Sequence, residues 1–125
     1  MELFTQLERA VLELLLEGED PVRRALRKQL AVAQVRERQL TGVGFFTSFM
    51  LPAEIVPVSI PVGLSPLGDV HAQLEGLQHG AGFLLFLKEG RLDFLEGYSY
   101  DEPWPENVVR FVLRREKALK GRAWD

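Results

Sequence analysis

Glu96 is the residue of this chain whose setting best suits chemistry. It lies in Phe94-Leu95-Glu96-Gly97-Tyr98-Ser99-Tyr100-Asp101-Glu102-Pro103-Trp104-Pro105, the most unusual stretch of the sequence, where aromatic rings alternate with carboxylates. Just before it, Phe83 to Lys88 and Arg91 to Tyr98 flank Glu89-Gly90, a two-residue loop of the kind that closes a tight hairpin. A regular register from that turn pairs Leu87 with Leu92 and Leu85 with Phe94, and sets Glu96 opposite Phe83 on the apolar face. An unpaired carboxylate there takes up a proton or costs several kcal/mol, and a carboxyl with a raised pKa can act as a general acid or anchor a ligand. Tyr98, Tyr100, Asp101 and Trp104 would line the pocket around it. The structural alternatives are an ion pair with an arginine of another strand such as Arg110, hydrogen bonds from tyrosine hydroxyls, or a bulge at Gly97 that turns Glu96 outward.

Other groupings are weaker. Asp69 and His71 stand two apart on a strand pattern and so project from one face, where Glu75 or Asp93 would complete a hard-metal or zinc cluster. Solvated strands alternate polar residues for no further reason, so the expectation is no metal site and no cofactor. His79 sits beside Gly80 as a turn residue. The pairs Gly42-x-Gly44 and Gly80-x-Gly82 lie in no strand-to-helix turn and precede no Gly-Lys-Ser/Thr, so they read as hairpin turns and not as phosphate loops. Ser59, Ser65 and Ser99 lack the Gly-x-Ser-x-Gly setting of an activated serine. The absence of cysteine removes thiol nucleophiles, thiolate metal sites and disulfides together, and it fits a reducing compartment.

The elements that must position these residues follow from periodicity. Leu3, Leu7, Val11, Leu14 and Leu15 recur at helical spacing, while Glu8, Arg9, Glu13 and Glu17 fall mostly elsewhere, which predicts a helix over 3–17. Gly18 stops it, and Asp20-Pro21 starts a second helix over 21–33 with an acidic cap and proline in the first turn. Arg23, Arg24, Arg27 and Lys28 occupy its polar side, a solvated face or a surface for an acidic partner. Strands are expected over 35–41, 45–51, 69–75, 83–88, 91–98 and 108–114. Between the second and third of these, prolines 52, 57, 61 and 66 remove donors that a central strand would need, so Pro52 to Pro66 is an extended surface or edge segment. Its valines and isoleucines need cover from the domain or from a second copy. The hairpin face carrying Leu84, Phe86, Asp93 and Leu95 is likewise too apolar for open water.

At 125 residues the chain has the length of one domain with its own core, here 1–125. A net charge of -3, from 18 acids against 15 bases, argues against duplex binding, which favours a basic face. Apolar runs such as Gly82 to Leu87 are far too short to span a bilayer, and the start Met1-Glu2 is unlike a signal peptide, so the expected compartment is the cytoplasm. Arginine outnumbers lysine 11 to 4, a bias that suits a GC-rich genome.

Three segments carry a resemblance: Gly42-Val43-Gly44-Phe45-Phe46-Thr47, then Gly68-Asp69-Val70 through Glu75-Gly76-Leu77, then Gly80-Ala81-Gly82-Phe83 through Leu95-Glu96-Gly97-Tyr98-Ser99-Tyr100 to Trp104-Pro105. In these the sequence resembles a group of small bacterial proteins with no established activity, and more loosely toxin-immunity proteins. The resemblance implies a bacterial domain and assigns no catalytic residue. The sequence therefore predicts an α+β domain with two N-terminal helices on one face of a mostly antiparallel sheet. Its first functional expectation is a non-enzymatic binding or protein-interaction domain, homodimeric through Pro52 to Pro66 or the sheet face. The alternatives are a small enzyme or ligand binder with a pocket around Glu96, and an immunity-type inhibitor presenting Asp101-Glu102 to a basic toxin.

Overall fold

Thr5 opens the first helix with a reciprocal cap. Its hydroxyl accepts the Glu8 N–H at 3.0 Å while the Glu8 carboxylate accepts the Thr5 N–H at 2.9 Å, which satisfies two donors that a helix start leaves unpaired. The cap sets the boundary: in the computed structural model, which describes residues 3–116, helix α1 spans Gln6–Leu15, and Leu3 lies exposed outside it. Asp20 caps α2 (Pro21–Ala31) by accepting the Arg23 N–H at 3.0 Å, with proline in the first turn as expected. Two arginines of α2 turn back onto the end of α1. Arg27 donates to the Leu16 and Gly18 carbonyls at 2.6 and 2.7 Å, and Arg23 to the Leu15 carbonyl at 3.3 Å. Cations are stabilising at this negative helix end, so half of the basic face is used inside the fold, while Arg24 and Lys28 stay exposed.

Among the described residues six strands follow: β1 (Gln34–Leu40), β2 (Gly44–Met50), β3 (Val70–Leu74), β4 (Ala81–Lys88), β5 (Arg91–Ser99) and β6 (Phe111–Arg115). They form one antiparallel sheet in the order β1-β2-β5-β4-β3-β6. Both helices pack on one face, where Val11, Leu12, Leu15 and Leu26 meet Phe45, Phe83, Leu85 and Leu95 in a core closed to water. The α+β reading is thus met. The last strand is later than the expected 108–114, because its partner β3 ends at Leu74, opposite Phe111, and the chain turns away at Gly76; a single bond from the Glu75 N–H to the Arg110 carbonyl at 3.1 Å extends the pairing before it stops.

The central hairpin departs from the expected register. Leu87 faces Leu92, but Phe86 faces Phe94, so Asp93 is an extra residue bulged from β5. Beyond it every β5 side chain changes face. Leu85 pairs with Leu95 and not with Phe94, Leu95 joins the core, and Phe94 moves to the opposite side with Leu84 and Phe86. A second bulge, at Arg36 in β1, has the same kind of effect and turns Arg38 toward the helices.

The proline-rich segment lies along the domain. Leu67 and Leu85 exchange backbone hydrogen bonds at 2.9 and 2.8 Å, and Leu67 is buried. The buried amide of Gln29 donates to the carbonyls of Val56 and Gly90 at 3.1 and 3.0 Å and accepts the Leu92 N–H at 3.0 Å, tying α2, the segment and the β4–β5 turn at one point. Val58 and Leu64 rest on the core, whereas Val56 and Val62 face solvent.

Glu8 falls on the buried side of α1, not among its solvated acids, with 2% of its side chain exposed. Arg38 reaches its two oxygens with Nε and Nη2 at 2.7 Å each, and the Thr47 hydroxyl donates at 2.6 Å. Burial alone would raise its pKa, but the bonds from Arg38, Thr47 and Thr5 outweigh that and hold it below 4.5. A lowered carboxylate pKa contributes stability that is present above 4.5 and lost as pH falls through the lowered value. Replacing Glu8 by Gln leaves the arginine without its counter-charge and should cost about 3 kcal/mol at pH 7. In urea titrations the gap between wild type and Glu8→Gln should narrow steadily below pH 4.5.

Candidate functional site

The sheet face away from the helices is built from the alternate residues of the central strands. Phe46 of β2, Phe94 and Glu96 of β5, and Leu84 and Phe86 of β4 project from it, each half-buried. The rings of Phe86 and Phe94 stack with centroids 4.4 Å apart, and Phe46 meets Phe94 edge-on at 5.7 Å. Such contacts add about 0.5–1.5 kcal/mol each beyond burial. Tyr98 and Tyr100 continue the face, edge to face at 5.7 Å. The tip of the Tyr98 ring packs over Gly82, where a Cβ would sit 2.4 Å from the phenol oxygen, so a larger residue there would displace the ring.

Glu96 therefore stands opposite Leu84 and Phe46 on this open face, not opposite Phe83 in the core, and the bulge responsible is at Asp93, not at Gly97. Neither Arg110 nor another described residue pairs with it. Desolvation by the apolar side chains around it raises its pKa above 4.5. Burial also raises the Tyr98 pKa, with Tyr100 and Glu96 adding to the shift.

The expected cluster around Glu96 divides. Tyr98 and Tyr100 share its face. Asp101 is exposed at the turn that follows, with φ of 64°. Ser99 closes that turn, its hydroxyl donating to the Glu102 carbonyl and accepting the Glu102 N–H. The Glu102 carboxylate accepts the N–H groups of Gln78 and His79, both at 2.8 Å, and these bonds lower its pKa. Trp104 then lies on the helix side, its N–H bonded to the Gly42 carbonyl at 2.9 Å and its ring edge-on to Phe45 at 5.5 Å. The chain has crossed the end of the sheet between Tyr100 and Trp104, so one pocket cannot hold both.

Asp69 and His71 have separate partners. Asp69 pairs with Arg115 at 2.9 Å, and His71 Nε2 lies 3.2 Å from the Glu116 carboxylate. Among the described residues no group of three or more His, Cys, Asp or Glu is placed to hold a metal. His71, Tyr100 and Arg114 border a cleft of about 380 Å³ at the end of the open face.

A more apolar cavity of about 410 Å³ lies on the helix side, between α1, the β1–β2 turn and the segment after Trp104. Leu7, Leu40, Phe45, Trp104 and Val108 supply its apolar surface, and Glu8 and Arg38 stand in its wall. Trp104 is the only residue of the expected cluster found there. Glu8 and Arg38 were not among the expected site residues, although Thr5-x-x-Glu8 is a capping-box spacing visible in the sequence.

No protein-family model, no curated protein and no solved structure matches this chain. Among the described residues no helix is long and apolar enough to cross a membrane.

A raised carboxyl pKa means that the folded state holds its proton more tightly than the unfolded chain, so stability falls as pH rises from 4.5 through the folded value. Glu96→Gln should accordingly melt at a higher temperature than wild type at pH 7.5, with the difference vanishing at pH 4; calorimetry at the two pH values checks both the sign and the window.

Proposed function

We propose that this chain is a non-enzymatic interaction domain that self-associates through the open face of its sheet. The observation that carries the reading is the cluster of Phe46, Leu84, Phe86 and Phe94, interrupted by the carboxyl of Glu96 alone, at the centre of a sheet whose two described helices lie on the other side. Aromatic side chains are enriched at the core of protein interfaces, and a carboxyl inclined toward its neutral form is the acid such a core tolerates best. The sheet order makes a second copy a fitting occupant. A two-fold axis along the strands, midway between β5 and β4, sets Phe86 and Phe94 against their counterparts.

The Pro52 to Pro66 segment is a lesser contributor, since Val58, Leu64 and Leu67 are already turned to the domain's own core. A catalytic role for Glu96 has less support, because no described hydrogen bond orients its carboxylate and Trp104 lies across the sheet from it. An inhibitor that presents Asp101-Glu102 to a basic partner would offer chiefly Asp101, since Glu102 is held by two amides. The cysteine-free sequence leads us to place the domain in the cytoplasm.

Light scattering coupled to gel filtration should find a dimer for wild type. Phe94→Arg should weaken association by roughly thirtyfold or more, the equivalent of about 2 kcal/mol at an interface hot spot. Phe86→Ser should act in the same direction, with the circular dichroism spectrum of both variants unchanged. A wild-type chain that stays monomeric at several hundred micromolar overturns the reading.

A further inference from the structure

We propose that the cavity between α1, the β1–β2 turn and Trp104 is a binding site for a small, uncharged, ring-bearing molecule. This does not depend on self-association, because the cavity and the open face lie on opposite sides of the sheet.

The cavity is held open by fixed contacts. The Trp104 N–H is bonded to the Gly42 carbonyl at 2.9 Å, which fastens one wall to the β1–β2 turn. Arg38 and Thr47, bonded to Glu8, fasten the opposite wall to α1. A pocket walled by hydrogen bonds between three elements needs little ordering when a ligand enters. Its volume of about 410 Å³ falls toward the small end of ligand cavities and suits one or two fused rings.

The lining decides the chemistry. Leu7, Phe45, Trp104 and Val108 offer carbon surface, and the half-buried Trp104 ring, already edge-on to Phe45, offers a face for stacking. Leu40 stands at the site with 73% of its surface exposed, apolar area that a ligand would cover. Of the charges in the lining, Glu8 and Arg38 are matched with each other, and Glu106 is exposed to water, which screens it. Each Glu8 oxygen accepts two hydrogen bonds, and the Arg38 fork lies against that carboxylate. An ionic ligand would gain no unmatched counter-charge from this pair and would lose its own hydration, whereas a neutral ring avoids that loss.

The test uses the full chain labelled with 5-fluorotryptophan, in which Trp104 and Trp124 give two fluorine resonances and Trp104→Phe assigns them. Toluene and indole serve as uncharged probes, benzoate and benzylamine as their charged counterparts. The expected result is a saturable shift of the Trp104 resonance with the uncharged probes, at least tenfold tighter than with either charged one. Val108→Trp fills the cavity and should abolish saturation, and Leu40→Arg at the exposed residue should weaken it even if Val108→Trp fails to fold. Phe94→Arg should leave the shift intact, which separates this site from the open face. No saturable shift at millimolar probe, equal affinity for charged probes, or binding unaffected by Leu40→Arg and any folded Val108→Trp would overturn the assignment.

Discussion

The carboxylate of Glu8 is ionised and buried, and a group of that kind is tolerated only when donors meet its oxygens on every side. Three elements must arrive together for this to happen. Thr5 brings the backbone of the helix start, Thr47 a hydroxyl from β2, and Arg38 a planar fork from β1. Arg38 arrives only because Arg36 bulges out of the β1–β2 ladder; in an unbroken strand containing a buried Val35, residue 38 would point the other way. The bulge spends one ladder position and gains a charged pair that fixes where α1 sits on the sheet. The wall of the apolar cavity is the same pair seen from outside, so the cavity's shape is a by-product of how α1 is anchored.

Asp93 plays the corresponding part at the centre of the sheet. The β4–β5 hairpin contains more large apolar residues than one face can take, and a strict alternation would push Phe94 and Glu96 together into the core. The extra residue exchanges them for Leu95, which is wholly buried under the helices. A leucine fills that position without a polar atom to satisfy. The consequence is that three phenylalanines and Leu84 gather on the opposite side, where their desolvating surface raises the pKa of the neighbouring Glu96 carboxyl. The core's solution therefore generates the apolar open face, and both follow from one unpaired residue.

How much of this is legible in the sequence depends on the range of the interactions. Helical spacing, the Asp20-Pro21 start and the Glu89-Gly90 turn are local, and the two helices, the first hairpin and the pairing of Leu87 with Leu92 follow from them. Bulges are set by competition between distant side chains for the core, so neither Arg36 nor Asp93 is marked by its own residue type. One missed residue is enough to reverse a face, which is why Glu96 was expected in the core. The separation of Trp104 from Tyr98 has a similar origin: Pro103 and Pro105 announce a turn but do not say which side of the sheet the chain descends. Glu8 was overlooked for the opposite reason, since an acid within a helix resembles its solvated neighbours until the partner strand is known.

The two sides of the sheet are joined through adjacent residues of β2. Phe45 looks inward over Gly97, where a Cβ would lie 2.4 Å from its ring, and Phe46 looks outward to Phe94 at 5.7 Å. The glycine lets the Phe45 ring lie close against β5 and edge-on to Trp104, so the cavity borders the strands that carry the open face. A domain with a single layer of helices can bury only one side of its sheet. The side that remains must be polar, be covered, or serve as a contact surface, and Phe46, Leu84, Phe86 and Phe94 exclude the first. With the proline-rich segment tied down by Gln29 and Leu85 at the edge of β4, the second is met only in part. Contact is the role we propose for these side chains, and it accounts for their being apolar.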